Sequence, residues 1–142
     1  MEETVQASDA FVKDVERRIL NNLMDLLILL TLYSYGGQIS GYDIIKHMQV
    51  NYRFLPSPGN VYSCLYHMEM KGLLRGFQIG RKRVYVLTRR GTETAQTILK
   101  AKERIINLVS TIFYKNANIN YPSAPQITTE IPSKKYAMEK PG

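Results

Sequence analysis

The sequence predicts a mainly α-helical fold with a small two-stranded β-hairpin, and three observations carry that prediction. Apolar residues recur at three- and four-residue steps from Asp9 to Tyr35, and again along residues 91–115, the period of amphipathic helices. Between residues 73 and 87 the pattern changes to two short β-rich runs around Gly80, Arg81 and Lys82, a hairpin by its turn chemistry. The lone Cys64 leaves no internal disulfide, so a core must come from packed helices. At 142 residues and 44% hydrophobic, the chain can build one ordinary domain with extensions.

The first helical pattern places Phe11, Val12, Val15, Ile19, Leu23, Leu26, Leu27 and Leu30 on one stripe. It fits one bent helix or two, with Asn21 and Asn22 at the junction, and Gly36-Gly37 ends it because glycine tolerates the left-handed conformation of helix stops. Its apolar run, Leu23 to Tyr35, contains Asp25 and falls short of the roughly 20 residues of a membrane span. The acidic N-terminus lacks the basic-then-apolar order of a signal peptide. The expectation is a soluble, cytoplasmic protein with no membrane partner.

Ser40, with Asp43 three residues on, reads as a helix cap. The short helix that follows turns Ile44, Ile45 and Met48 inward. Residues 51–58 interrupt it, and Ser57 followed by Pro58 restarts a third helix, since proline at the first helical position sacrifices no hydrogen bond. That helix carries Val61, Leu65 and Met68 on one face and stops at Lys71-Gly72. The hairpin comes next, with strands over 73–79 and 83–87.

Thr88 is a cap for a final long helix, whose apolar pairs repeat every seven residues as Ile98-Leu99, Ile105-Ile106 and Ile112-Phe113, with Ala95 and Val109 between. Such a stripe suits a partner helix from a second subunit, or it folds back on the chain's own N-terminal helix. After Asn116 four prolines and no sustained period predict a flexible tail. The organisation is thus a helical extension over 1–21, a three-helix and hairpin domain over 22–90, a dimerisation helix over 91–115 and a tail over 116–142.

Charge narrows the function. Residues 1–45 hold three basic and seven acidic groups, net −4, whereas residues 46–104 hold twelve and three, net +9. That asymmetry points the middle of the chain toward an anionic partner, nucleic acid before membrane surface. Enzyme chemistry finds no support: the acids are scattered, no glycine-rich phosphate loop or nucleophile motif appears, and His47 and His67 fall on separate helices. No catalytic residue, metal or cofactor is expected.

Three helices, a hairpin and a long helix, in that order, make a winged helix-turn-helix. Its second helix of the pair enters the major groove and its hairpin, the wing, reaches neighbouring phosphates. A neutral wing would have favoured the other use of this fold, a protein-interaction module without DNA contact; this wing carries Arg81, Lys82 and Arg83.

The runs Leu26-Leu-Ile-Leu-Leu30, GYDII at 41–45, SPGNVY at 57–62, Leu65, KGLL at 71–74 and YVLT at 85–88 together resemble the PadR-like transcriptional regulators, over roughly residues 22–113. The resemblance implies a winged helix-turn-helix with a long C-terminal dimerisation helix, in the shorter branch of the family, that binds double-stranded DNA as a homodimer and usually represses transcription. Carried over, it puts Ser57, Gly59, Asn60, Tyr62, Ser63 and His67 of the third helix toward DNA, Tyr42 near the backbone, and Arg81, Lys82 and Arg83 at the wing tip. It assigns Ala95, Ile98, Leu99, Ile105, Ile106, Val109, Ile112 and Phe113 to the dimer interface.

Chemistry supports these types. Asn60 can pair bidentately with adenine, while Ser57, Ser63 and Tyr62 can hydrogen-bond phosphate or base. The other readings stay open: core packing for Tyr62, Tyr66 and Tyr85, plain exposure for His67, and plain solvation rather than a nearby phosphate for Arg89 and Arg90. Two features depart from the family. The third helix has no Arg or Lys before Lys71, which moves specificity toward Asn60 and DNA shape. There is also no Trp, where some relatives stack flat aromatic drugs between tryptophans. A small aromatic or hydrophobic effector would instead need a cavity lined by Tyr33, Tyr35, Phe113 and Tyr114, if these are not simply packed. The extension before Asn21 reads as an arm that adds to the dimer.

Overall fold

A computed structural model describes residues 2–116; the expected tail therefore lies outside the described residues beyond Asn116. The order is α1 (Glu2–Asn22), α2 (Met24–Tyr35), β1 (Ile39–Ser40), α3 (Gly41–Tyr52), α4 (Pro58–Met70), β2 (Leu74–Ile79), β3 (Lys82–Leu87), α5 (Arg89–Lys100) and α6 (Lys102–Asn116). The chain forms two compact units, one up to Gln96 and one from Thr97.

In the first unit the apolar stripe resolves into two helices. Leu23, at φ −99° and ψ 23°, separates them directly after Asn21 and Asn22, residues of weak helix propensity. α2 ends where Gly36 turns left-handed at φ 74° and donates its N–H to the Leu32 carbonyl at 3.1 Å. Met24, Ile28, Leu29 and Leu32 of α2 meet Ile44 and Met48 of α3 and Val61, Leu65 and Met68 of α4 in the buried core. The inward faces read for α3 and α4 are the buried ones, with Ile45 only half-buried, whereas α2 buries Met24, Ile28, Leu29 and Leu32 rather than the expected stripe of Leu23, Leu26, Leu27 and Leu30.

The loop between α3 and α4 is anchored rather than merely broken. Arg53 takes the left-handed cap position at φ 49°, and Phe54 and Pro56 are buried beneath the chain. At the start of α3 the Ser40 hydroxyl accepts the Asp43 N–H at 3.1 Å and donates to the Asp43 carboxylate at 2.9 Å. Ser40→Ala loses this reciprocal cap and is expected to cost about 1 kcal/mol of stability, read as a lower midpoint with unchanged slope in urea unfolding.

The hairpin differs from the expectation in two respects. β3 is the centre of a three-stranded antiparallel sheet, because the two-residue β1 pairs Ile39 with Tyr85 and Ser40 with Val84. The turn is Gly80-Arg81 alone, since Ile79 pairs with Lys82. Gly80 sits at φ 61°, and glycine at the first turn position is the chemistry of type II′ hairpins.

At the base of the wing, Thr88 caps α5 as expected. Its hydroxyl accepts the Gly91 N–H at 3.0 Å and donates to the Gly72 carbonyl at 2.6 Å, and its backbone N–H donates to the Leu73 carbonyl at 3.1 Å. Helix and wing are tied at one point. Ala95 of α5 is fully buried within this unit, so it packs the subunit's own core and has no surface to give to a partner, contrary to the expected interface.

The single long helix of the expectation is two segments, α5 and α6, interrupted at Ala101. The Ala101 N–H is shared between the carbonyls of Thr97 and Ile98 at 3.2 and 3.0 Å, and the tighter of these bonds makes a short 3₁₀-like turn. No described residue of α6 is buried, and Ile105, Ile106, Leu108, Val109, Ile112 and Phe113 are all exposed. α1 in the first unit shows a comparable stripe, with Val5, Phe11, Val12, Val15 and Ile19 exposed. Monomeric proteins rarely display contiguous apolar stretches of this kind.

Candidate nucleic-acid interface

α4 alternates a buried and an exposed face. With Val61, Leu65 and Met68 fixed inward, helical geometry sends Asn60, Ser63 and His67 out along one ridge and Gly59, Tyr62 and Tyr66 along the next. All six are exposed, as are Ser57 before the helix and Tyr42 at the start of α3. Every residue expected on the third helix thus shares one open face. Tyr66, for which core packing was open, is exposed beside His67, the rings meeting edge to face at 5.7 Å.

One flank of this face is polar. Asn60, Ser63 and His67 line an open groove of about 440 Å³ together with Asn21, Asn22, Asp25, Cys64 and Lys71. The Cys64 thiol is pushed up by burial first, then by Asp25, with Lys71 opposing, so the groove holds a poorly ionised thiol rather than a reactive one. The two asparagines and Lys71 were not foreseen as neighbours of Asn60.

The other flank is set by Tyr62. A Cβ at Gly41 would come within 2.5 Å of Tyr62 Cε1, so the ring lies directly on the glycine backbone at the start of α3. That packing leaves Tyr62 44% exposed, half packed and half open, with its hydroxyl also over the glycine, 3.0 Å from where a Cβ would stand. Tyr85, by contrast, is only 4% exposed and belongs to the core; burial raises its pKa, with the neighbouring Arg83 opposing.

The basic run divides. Arg81 occupies the exposed turn and Lys82 the exposed first position of β3. Arg83 instead pairs with Glu69 of α4, its Nη2 lying 3.1 Å from Oε1, an arrangement the sequence does not announce because fourteen positions separate the two residues. Arg89 is exposed and pairs with Glu93 one helical turn on, at 3.1 Å.

Of the four residues expected to line an effector cavity, the pocket around Tyr33 includes none of the other three. Tyr33 lines a pocket of about 280 Å³ with Leu32, Gly36, Gly37, Val86, Leu87 and Thr92, at the lower limit of ligand pockets, and Tyr35 is exposed outside that lining. Among the described residues no three His, Cys, Asp or Glu side chains gather as a metal site, and no helix is long and apolar enough to cross a membrane.

Residues 28–97 match the transcriptional regulator PadR-like family. A PadR family transcription regulator from hypervirulent Clostridium difficile R20291 is similar in structure at a TM-score of 0.54 and 26% identity, over 65% of this chain and 98% of that one. A PadR-like transcriptional regulator from Bacillus cereus strain ATCC 14579 is similar at 0.55 and 20% identity, over 68% and 96%. F93 from STIV, a winged-helix DNA-binding protein, shares the fold at 0.51 and 16% identity, over 61% and 92%. Comparison with curated proteins gives no match.

Proposed function

Through residues 28–97 the chain belongs to the transcriptional regulator PadR-like family, and on that premise we propose that it binds specific double-stranded DNA sequences as a homodimer and represses transcription. It is a transcription regulator, not an enzyme. The observation that carries the DNA reading is the open face of α4, with Asn60, Ser63, Tyr62 and His67 exposed together and followed in the chain by a wing whose tip presents Arg81 and Lys82. In this reading α4 is the recognition helix. Asn60 offers the paired donor and acceptor that match the adenine edge, and Ser57, Ser63 and Tyr42 supply neutral hydrogen bonds to backbone or base. The wing supplies charge without sequence information.

Asn60→Ala separates these roles. It should narrow the gap between the preferred duplex and a scrambled duplex of equal length by about 1–3 kcal/mol, while binding to the scrambled duplex stays put. A preference left intact would remove Asn60 from the readout.

The exposed apolar stripe of α6 supports assembly. With Ile98 and Leu99 at the end of α5, the pairs Ile105-Ile106 and Ile112-Phe113, with Val109 between, continue a seven-residue repeat, the spacing of paired helices, and the stripe of α1 supports its reading as an additional arm. Light scattering at micromolar concentration should return the mass of two chains. Ile105→Glu combined with Ile112→Glu should return the mass of one, and a single-chain mass for the parent would contradict the dimer. As a regulator on DNA, the protein would act in the cytoplasm.

A further inference from the structure

Arg83 is the third cation of the basic run, but β3 carries it differently from the other two. It pairs with Gln78, one step inward from the turn, so its side chain leaves the same face of the sheet as Tyr85, two residues on. There its Nη2 donates to both oxygens of Glu69, at 3.1 and 3.2 Å, and the guanidinium lies over the Tyr85 ring, 5.7 Å from its centre. Glu69 Oε2 also accepts the Gly76 N–H at 3.2 Å. One carboxylate in the last turn of α4 therefore holds both strands of the wing, β2 through its backbone and β3 through Arg83. The space above Gly76 is filled by this arrangement: a Cβ there would come within 2.8 Å of Arg83 Nη2 and 2.9 Å of Tyr85 Cε1.

We propose that Glu69 and Arg83 form a clasp that fixes the wing against the recognition helix, and that Arg83 is a positioning residue rather than a phosphate ligand. The proposal rests on the DNA-binding reading above and deepens it. An arginine already matched by a carboxylate is locally neutral, so bringing it to DNA releases no counterion, whereas the exposed Arg81 and Lys82 each neutralise a phosphate. The clasp contributes geometry: the donors of α4 and the cations of the wing meet the duplex at the same time only if the angle between them is kept. A single guanidinium nitrogen reaches both carboxylate oxygens, and the opposite charges strengthen those bonds.

The test uses the full chain and four proteins: parent, Glu69→Gln, Arg83→Gln, and the swap Glu69→Arg with Arg83→Glu. Fluorescence anisotropy on one duplex should show each single variant about three- to tenfold weaker than the parent. In Arg83→Gln the slope of log affinity against log salt should stay at the parental value, and the swap should recover most of the loss. A slope reduced by about 0.9 in Arg83→Gln is the signature of one phosphate left unneutralised and would overturn the proposal, as would a swap that binds no better than Arg83→Gln. Thermal melting of the same variants with Glu69→Gln/Arg83→Gln, without DNA, completes the test. Strongly non-additive losses are expected, and additive losses refute the clasp. If the parent fails to bind any duplex, the DNA reading falls and the melting cycle alone decides the clasp.

Discussion

Gly91→Ala is expected to be the most damaging conservative substitution in the chain, lowering stability by about 3 kcal/mol. A Cβ at residue 91 would overlap the backbone carbonyl of Leu73 and approach Leu87 Cδ2 at 3.1 Å. Backbone cannot swing aside as a long side chain would. The same carbonyl accepts the Thr88 N–H, and Thr88 in turn holds the Gly91 N–H and the Gly72 carbonyl. One methyl group would therefore loosen the cap of α5 and the base of the wing together. For a chain of this size the loss corresponds to a melting point lower by about 10 °C. Gly37→Ala is the control, since a Cβ there meets nothing within 4 Å. Equal melting points for the two variants would contradict this account of how α5 is seated.

The second large effect concerns binding. Arg81→Ala combined with Lys82→Ala should weaken affinity for preferred and scrambled duplexes alike, by about tenfold or more at low salt, and reduce the salt slope by about 1.8, near 0.9 for each phosphate no longer neutralised. Folding should be untouched, because both side chains are exposed and neither makes a side-chain hydrogen bond or ion pair among the described residues. A double variant that keeps the parental slope would remove the wing tip from the interface. The contrast with Asn60→Ala is the useful part: one variant should act on all sequences, the other on the difference between them.

Much of this architecture is written locally in the sequence. Ser40 with Asp43, Ser57 with Pro58, Gly36 and Thr88 each announce a helix end through a single hydrogen bond or dihedral preference. The three-and-four spacing of Val61, Leu65 and Met68 fixes which side of α4 faces out, and with it the exposed set around Asn60. What the sequence hides depends on register across the fold. β1 is two residues long, too short for any alternation to be seen, and it exists only because β3 offers it partners. Glu69 meets Arg83, and Tyr62 rests on Gly41, through packing angles that no local pattern encodes. The basic run at 81–83 is uniform as a string of letters, whereas a strand separates neighbouring side chains onto opposite faces. Ala95 shared the spacing of the heptad stripe yet falls in the core, because a stripe read from periodicity cannot say where one covering surface ends and another begins.

We propose that α4 and the wing form a surface for duplex DNA. Fluorescence anisotropy of the parent on a labelled duplex, over a salt series, tests it most directly. The expected result is tight binding at low salt, with log affinity falling linearly with log salt at about 0.9 per phosphate neutralised. Absent binding at about 50–100 mM salt, or affinity that does not change with salt, would contradict it.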